Sequence, residues 1–354
     1  MNQQIRFCNN PDGVRLAYAV TGTGPPLVKA PHWLTHLEYD GQSPIWRPWM
    51  ESFSHSYSFL RMDERGCGLS SVDTADISFE ALVHDLEVVV DAAGLERFAL
   101  FGHSQGGAIA VEYAARHPER VTHLVLLGSY ARGAMKRGLA GAQLDELHAQ
   151  LKLVEVGWGR DDPSYRQMFS TQFMPGGTLE QIHAMSELQR KSATPDNAMR
   201  IISALFGIDV CEAAARVRCP TLVLHARRDR RVPFEEGLLL AGLIPGAQLL
   251  PLETENHVLL PQEPAYREFF AALEGFLPQR PGAAPGAAFA QLTAREGEVL
   301  ERIAQGLDNA QIAAHLDLSE KTVRNNITRI FDKLGVENRS QAIVLARDSG
   351  LGRT

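Results

Sequence analysis

FALFGHSQGGAIAVEYAARH, Phe98 to His117, decides the fold of most of this chain. Phe98–Phe101 is a short apolar run of strand type, and Gly107–His117 has the character of a helix. Between them Gly102-His103-Ser104-Gln105-Gly106 has the pattern G-x-S-x-G. A strand that turns sharply into a helix pushes the central hydroxyl out of the sheet, and small flanking residues let the backbones pass closely. The helix N-terminus adds a positive dipole where an oxyanion would form. Ser104 is therefore a candidate nucleophile.

Working outward, Ile5–Cys8 and Val14–Val20 read as two strands joined by Asn9-Asn10-Pro11-Asp12-Gly13, a run of turn formers. Leu27–Ala30, Phe59–Asp63, Leu124–Leu127, Thr221–His225 and Gln248–Leu252 are further buried-strand candidates. Helical stretches separate several of them, which predicts βα units, a mostly parallel sheet and the α/β class. Phe79–Ala93 is the clearest helix: Leu82, Leu86, Val89 and Ala93 share one side, and Ser78 is placed to cap it. Tyr130–Asp209 breaks the rhythm; it is helix-like and rich in Met and Phe, as a helical lid inserted between strand–helix units would be. Its composition predicts an apolar, adaptable pocket, although the same side chains would also serve simply to pack the lid on the core.

Bulk properties narrow the function. The 354 residues suffice for one large α/β domain and a small module, with 45% apolar residues for a full core. A net charge of −7 provides no global basic field, so any nucleic-acid affinity must come from a local patch. Cys8, Cys67, Cys211 and Cys219 have no metal-ligand spacing, so neither a metal nor another cofactor is expected, and free thiols in a reducing cytosol are the plain reading. The polar start MNQQIRFCNN lacks a signal-peptide core, and no apolar run is long enough to span a bilayer. A cytoplasmic protein without a membrane partner is expected.

Downstream of the serine, Asp229 follows the candidate strand Thr221–His225, and His257 follows Gln248–Leu252. The order Ser104, Asp229, His257 suits a triad in which His257 takes the serine proton and Asp229 orients the imidazole. Asp209 is a rival orienting acid, and Asp229 itself sits among Arg227, Arg228, Arg230 and Arg231, as a surface loop acid would. With Asp63-Glu64-Arg65-Gly66-Cys67-Gly68-Leu69-Ser70 (pattern D-x-R-G-x-G-x-S), these motifs make residues 1–278 resemble the α/β-hydrolase superfamily. The resemblance implies an oxyanion hole from the backbone N–H groups of Trp33 and Gln105. Pro31-His32-Trp33 stands where the family places His-Gly and a bulky residue, and His32 lacks the conformational freedom of glycine. A serine nucleophile argues against the dehalogenase and epoxide-hydrolase branches, which use a carboxylate.

The tail is a different machine. Thr293 and Glu296 are spaced for a capping box, Val299, Leu300 and Ile303 form an apolar face, and Gly306 ends that helix. A short helix with Ile312, Ala313 and Leu316 leads to a turn at Asp317-Leu318-Ser319. The next helix carries Val323, Ile327, Ile330 and Leu334 as its core stripe and is ended by Gly335; Ser340 can cap a last one. Leu292–Gly350 resembles the LuxR-type, or GerE-type, helix-turn-helix: Leu292-Thr293-x-Arg295-Glu296, Ile312-Ala313-x-x-Leu316-x-Leu318-Ser319-x-x-Thr322-Val323-Arg324 and Lys333-Leu334-Gly335-Val336 carry the match. Gln311 and Asn326 stand where the family often has Glu and His. The opposite side of the third helix offers Lys321, Thr322, Arg324, Asn325, Thr328 and Arg329, the groups that meet phosphates and base edges. The resemblance implies a homodimer whose third helices enter the major groove of promoter DNA. The near-balanced charge of the tail also fits a small protein-interaction module.

The expected organisation is a hydrolase-like sensor at 1–278 with a lid at about 130–209, a Pro/Gly/Ala linker at 279–290, and a DNA-binding module at 291–354. The fusion predicts a transcriptional regulator that senses a small apolar ester, lactone or acyl compound, with promoter DNA, that ligand and RNA polymerase as candidate partners. The alternative is a working serine esterase or lactonase whose tail tethers or autoregulates it.

Overall fold

The computed structural model describes residues 3–278 apart from 159, 161 and 163, and residues 292–352 apart from 335, 337, 349 and 350. The expected linker at 279–290, and the helix-ending Gly335, lie outside the described residues. The chain divides after Pro278 into two compact units.

The larger unit is built on eight strands: β1 (Gln4–Asn9), β2 (Arg15–Thr21), β3 (Pro26–Lys29), β4 (Ser58–Met62), β5 (Phe98–His103), β6 (Val121–Leu127), β7 (Thr221–Ala226) and β8 (Gln248–Leu252). They form one sheet in the order β1-β2-β4-β3-β5-β6-β7-β8. β1 and β2 pair antiparallel, as do β2 and β4, and the other five pairings are parallel. Every residue of β5 and of β7 is buried, because helices cover both faces; that is why these strands read as continuous apolar runs. The edge strand β1 has no buried residue, and its hairpin is closed where Asn10 Oδ1 accepts the Val14 N–H. From β4 the order steps back to β3 and then on to β5. The loops after β3 and β5 therefore diverge at the carboxyl ends of the strands, which opens a crevice there.

The D-x-R-G-x-G-x-S turn after β4 works through buried polar bonds. Asp63 Oδ2 accepts the Leu69 N–H at 2.9 Å, and Ser70 Oγ donates to the Asp63 carbonyl at 2.7 Å. Arg65, almost fully buried, donates Nε and Nη2 to the two oxygens of Asp85 at 2.7 and 2.6 Å. Asp85 belongs to the helix Phe79–Ala92, whose first turn is capped by Ser78 accepting the Ala81 N–H.

Between β6 and β7 the described residues form four helices of ten residues or more, Ala142–Gly157, Ser164–Phe173, Leu179–Ser192 and Pro195–Phe206. Thr178 and Gln181 form a capping box on the third, and Thr194 caps the fourth with Pro195 in its first turn. Phe169, Phe173, Met174, Met185 and Phe206 are buried, whereas Met135 and Met168 are exposed. Much of the Met and Phe content is thus packing.

The smaller unit has helices Ala294–Ala304, Asn309–Leu316, Glu320–Leu334 and Arg339–Asp348 around a core that includes Val299, Leu300, Ile303, Ile312, Val323 and Ile330. The Thr293–Glu296 capping box is formed, and Lys333 Nζ reaches Glu296 at 2.6 Å. That lysine bond, with the Thr293 N–H, holds the Glu296 carboxyl down at about 2. Gly306 has φ +88°, as a residue just past a helix end must. Gln311 completes a second capping box with Asp308, so an amide there serves the helix as a carboxylate would.

Candidate active site and candidate DNA-reading helix

Ser104 sits at the end of β5 with φ +54° and ψ −126°, and its N–H donates to the Leu127 carbonyl at 2.9 Å. A non-glycine residue holds such a backbone only where its surroundings over-determine it. Here two close approaches do so. A Cβ on Gly102 would lie 2.5 Å from the Gly107 Cα, and one on Gly106 would lie 2.7 Å from the Pro31 carbonyl oxygen. The pentapeptide glycines are thus required by backbone crossings. In the loop after β3 the positive φ falls on Leu34, at +58°, and His32 does not adopt one.

The loops after β7 and β8 bring the other two candidates together. His257 Nδ1 meets Asp229 Oδ2 at 2.7 Å, and both side chains are fully buried. Asp229 Oδ1 accepts the N–H groups of Arg231 and Val232 at 2.7 and 2.9 Å. Burial works against its charge, but the adjacent His257 prevails and holds the Asp229 carboxyl below its ordinary range. Asp209 takes no part; its carboxylate accepts the Cys211 N–H. With Nδ1 donating to Asp229, a neutral His257 has its lone pair at Nε2, and this atom is buried without a hydrogen-bond partner. No hydrogen bond among the described residues joins it to Ser104; in an unliganded site such bonds are often long and tighten only around substrate.

The lid takes part in holding the histidine. The Phe173 carbonyl, at the end of the lid helix Ser164–Phe173, accepts the N–H groups of His257 and Val258 at 2.9 and 3.1 Å. Gly128 packs on the same ring: a Cβ there would approach His257 Cε1 to 3.0 Å. His103 is a neighbour that sequence reasoning left unassigned. Its Nε2 lies 3.2 Å from the His257 carbonyl and its ring stacks on His257 at 5.2 Å. Since a carbonyl only accepts, Nε2 carries the proton, and burial keeps the His103 pKa well below its ordinary value.

Ser104, Trp33, Gln105 and Asp229 line one cavity of about 240 Å³. Neither the Trp33 nor the Gln105 amide N–H has an acceptor among the described residues, the condition an oxyanion donor would have to meet. Behind Gln105, its Nε2 donates to Glu64 Oε2 at 3.0 Å. Burial pushes the Glu64 carboxyl up from 4.5 to about 8. Between those values the folded chain keeps a proton that the unfolded chain has lost, so this group's contribution to stability falls as pH rises through that window. Glu64→Gln should remove this component: melting temperatures taken from about pH 5 to about pH 8.5 should decline less in the variant than in the parent. Equal declines would contradict the assignment.

In the smaller unit all six candidate DNA contacts, Lys321, Thr322, Arg324, Asn325, Thr328 and Arg329, are exposed on the helix Glu320–Leu334. Val323 and Ile330 hold its other side in the core, while Ile327 and Leu334 are partly buried. Two of the six are locally engaged: the Thr322 hydroxyl lies 2.9 Å from Ser319 Oγ, and Thr328 Oγ1 donates to the Arg324 carbonyl at 3.2 Å. The side chains of Lys321, Arg324, Asn325 and Arg329 make no bond within the described residues. The helix therefore presents cationic and amide groups on one face.

Two family models match separate parts of the chain. The model of bacterial regulatory proteins of the luxR family matches residues 290–346, and that of the alpha/beta hydrolase fold matches residues 39–169. RutD of Azorhizobium caulinodans is 27% identical over 250 residues, covering 68% of this chain and 88% of the relative. The pyrrolizixenacetamide deacetylase of Xenorhabdus hominickii is 27% identical over 267 residues, 74% of this chain and 94% of that protein. Among solved structures, an esterase from Exiguobacterium antarcticum superimposes with a TM-score of 0.66 at 23% identity, over 77% of this chain and 99% of its own.

Proposed function

We propose that this chain, which joins an α/β-hydrolase domain to a luxR-family regulatory domain, controls transcription in response to a small acyl compound bound beside Ser104. The luxR-family match supports the regulatory half. The observation that carries the sensing half is the Phe173 carbonyl, which ties the lid to the backbone of His257. A ligand entering between lid and core would meet that tie and Ser104 together. It shifts the protein between states only by binding one of them better.

The unpartnered Nε2 of His257 and the formed pair with Asp229 favour turnover as well. A regulator that hydrolyses its own signal would reset itself. In that case Ser104→Ala should prolong the transcriptional response to a pulse of ligand, and an unchanged response would count against hydrolysis as the reset.

The DNA-reading assignment is tested on the third helix of the tail. Arg324→Ala should weaken retention of promoter fragments by about 1–3 kcal/mol and relax sequence preference if the guanidinium reads a base. If retention is unaffected in the Arg324→Ala, Lys321→Ala and Asn325→Ala variants alike, the helix is not the reading element.

A further inference from the structure

The cavity beside Ser104 carries more charge than the lid composition predicts. Among the described residues Phe173 and Phe206 are the only lid Met or Phe side chains on its wall, and three arginines, Arg137, Arg230 and Arg231, stand with them. Arg231 shares its loop with Arg227, Arg228 and Arg230. Those three are exposed, or nearly so, and pair with Glu253 and Glu255. Arg231 turns inward instead. Its guanidinium lies 5.4 Å from the ring centre of Phe169 and 5.3 Å from that of Phe173, with Nη1 donating to Gln150 Oε1 at 3.2 Å. Among the described residues it has no carboxylate within ion-pair distance.

Arg137 lines the same cavity. Its Nε donates to the Arg132 carbonyl at 2.9 Å and its plane covers Tyr130 at 5.3 Å. The nearest carboxylate, Glu236, is 3.8 Å away and is already bonded by the Arg132 side chain at 2.8 Å and its N–H at 3.2 Å. Asp229, the buried acid on the wall, is taken up by His257 and two backbone amides. The remaining acid, Glu146, is exposed. Burial draws down the pKa of both arginines, the mark of cations short of solvation. An arginine stays charged all the same, and a wholly apolar occupant would strip these two further without compensation.

We propose that the ligand is an acyl compound with a free carboxylate, its ester or related carbonyl at Ser104 and its carboxylate held by Arg231 and Arg137. This rests on the reading that the ligand lies beside Ser104, and it replaces the expected apolar compound with an anionic one. Bidentate guanidinium–carboxylate bonds in a partly desolvated site account for the preference.

The test uses full-length Ser104→Ala protein, titrated calorimetrically with monomethyl glutarate and with its neutral counterpart dimethyl glutarate. The anionic monoester should bind at least on the order of tenfold more tightly, the usual worth of a charged hydrogen bond. Arg231→Gln and Arg137→Gln should each remove most of that preference, and Arg231→Lys should keep part of it. Melting curves show that each variant is folded; should a Gln variant unfold, the Lys variant and the other arginine still decide. Equal binding of the two esters, no binding of either, or a preference that survives loss of both arginines overturns the proposal. If the preference holds but the monoester leaves promoter retention unchanged, the anionic site stands and the regulatory reading falls.

Discussion

Ser104→Ala should abolish cleavage of activated esters and labelling by a fluorophosphonate, while leaving promoter binding by the unliganded protein intact. The hydroxyl is held at the end of β5 by a backbone that Gly102 and Gly106 force into place, beside two unbonded amides. Removing the nucleophile of a catalytic triad costs on the order of 10³- to 10⁶-fold in rate. His257→Ala should fall in the same range, because the base and the nucleophile act as one unit. The measurement is ester hydrolysis with intact-mass detection of the adduct. A variant that keeps even a tenth of the parent rate would move the nucleophile elsewhere. A parent that neither cleaves nor labels would leave Ser104 as an elbow that serves the fold and the ligand.

Asp85→Ala should destabilise the larger unit by roughly 3–5 kcal/mol, the range for leaving one partner of a buried ion pair alone. Arg65 would lose both of its short bonds to Asp85, and Asn10 Nδ2 would lose an acceptor at 2.9 Å. That single carboxylate therefore links the turn after β4, the helix Phe79–Ala92 and the hairpin loop between β1 and β2. All four tryptophans lie in this unit, so urea unfolding followed by their fluorescence reads it alone. The double variant Arg65→Met, Asp85→Leu should recover most of the loss, since replacing both charges with apolar groups removes the desolvation cost as well as the attraction. A single-variant loss under about 1 kcal/mol would mean that water solvates Arg65 after all.

The legible part of this molecule is the part governed by local rules. The buried strands stand out as apolar runs, and their expected bounds lie within a few residues of those observed; β6 begins three residues earlier because His123 and Thr122 interrupt its apolar pattern. The Ser78 cap, the Thr293–Glu296 capping box and the turn at Gly306 follow from side chains a few positions apart. The pentapeptide reports its own geometry because only that backbone needs glycine at both ends. Arg231 was unreadable for the opposite reason. Nothing in Arg227-Arg228-Asp229-Arg230-Arg231 says which guanidinium turns inward; Phe169 and Phe173, about sixty residues away in the lid, decide it. His103 lies in plain view beside the serine, yet its bond to the His257 carbonyl spans 154 positions. In the loop after β3 the left-handed backbone falls on Leu34, a residue type that gives no sign of it in the sequence.

Filling the cavity beside Ser104 should change how the tail grips DNA. Full-length protein is reacted to completion with a small alkyl fluorophosphonate, and its affinity for a promoter fragment selected from a random pool is compared with that of unreacted protein and of Ser104→Ala exposed to the same reagent. A change of at least about fivefold in the labelled parent, absent from the alanine variant, is the predicted result and matches a typical coupling between two sites. Identical affinity at full labelling would contradict the account and leave a hydrolase carrying an uncoupled DNA-binding tail.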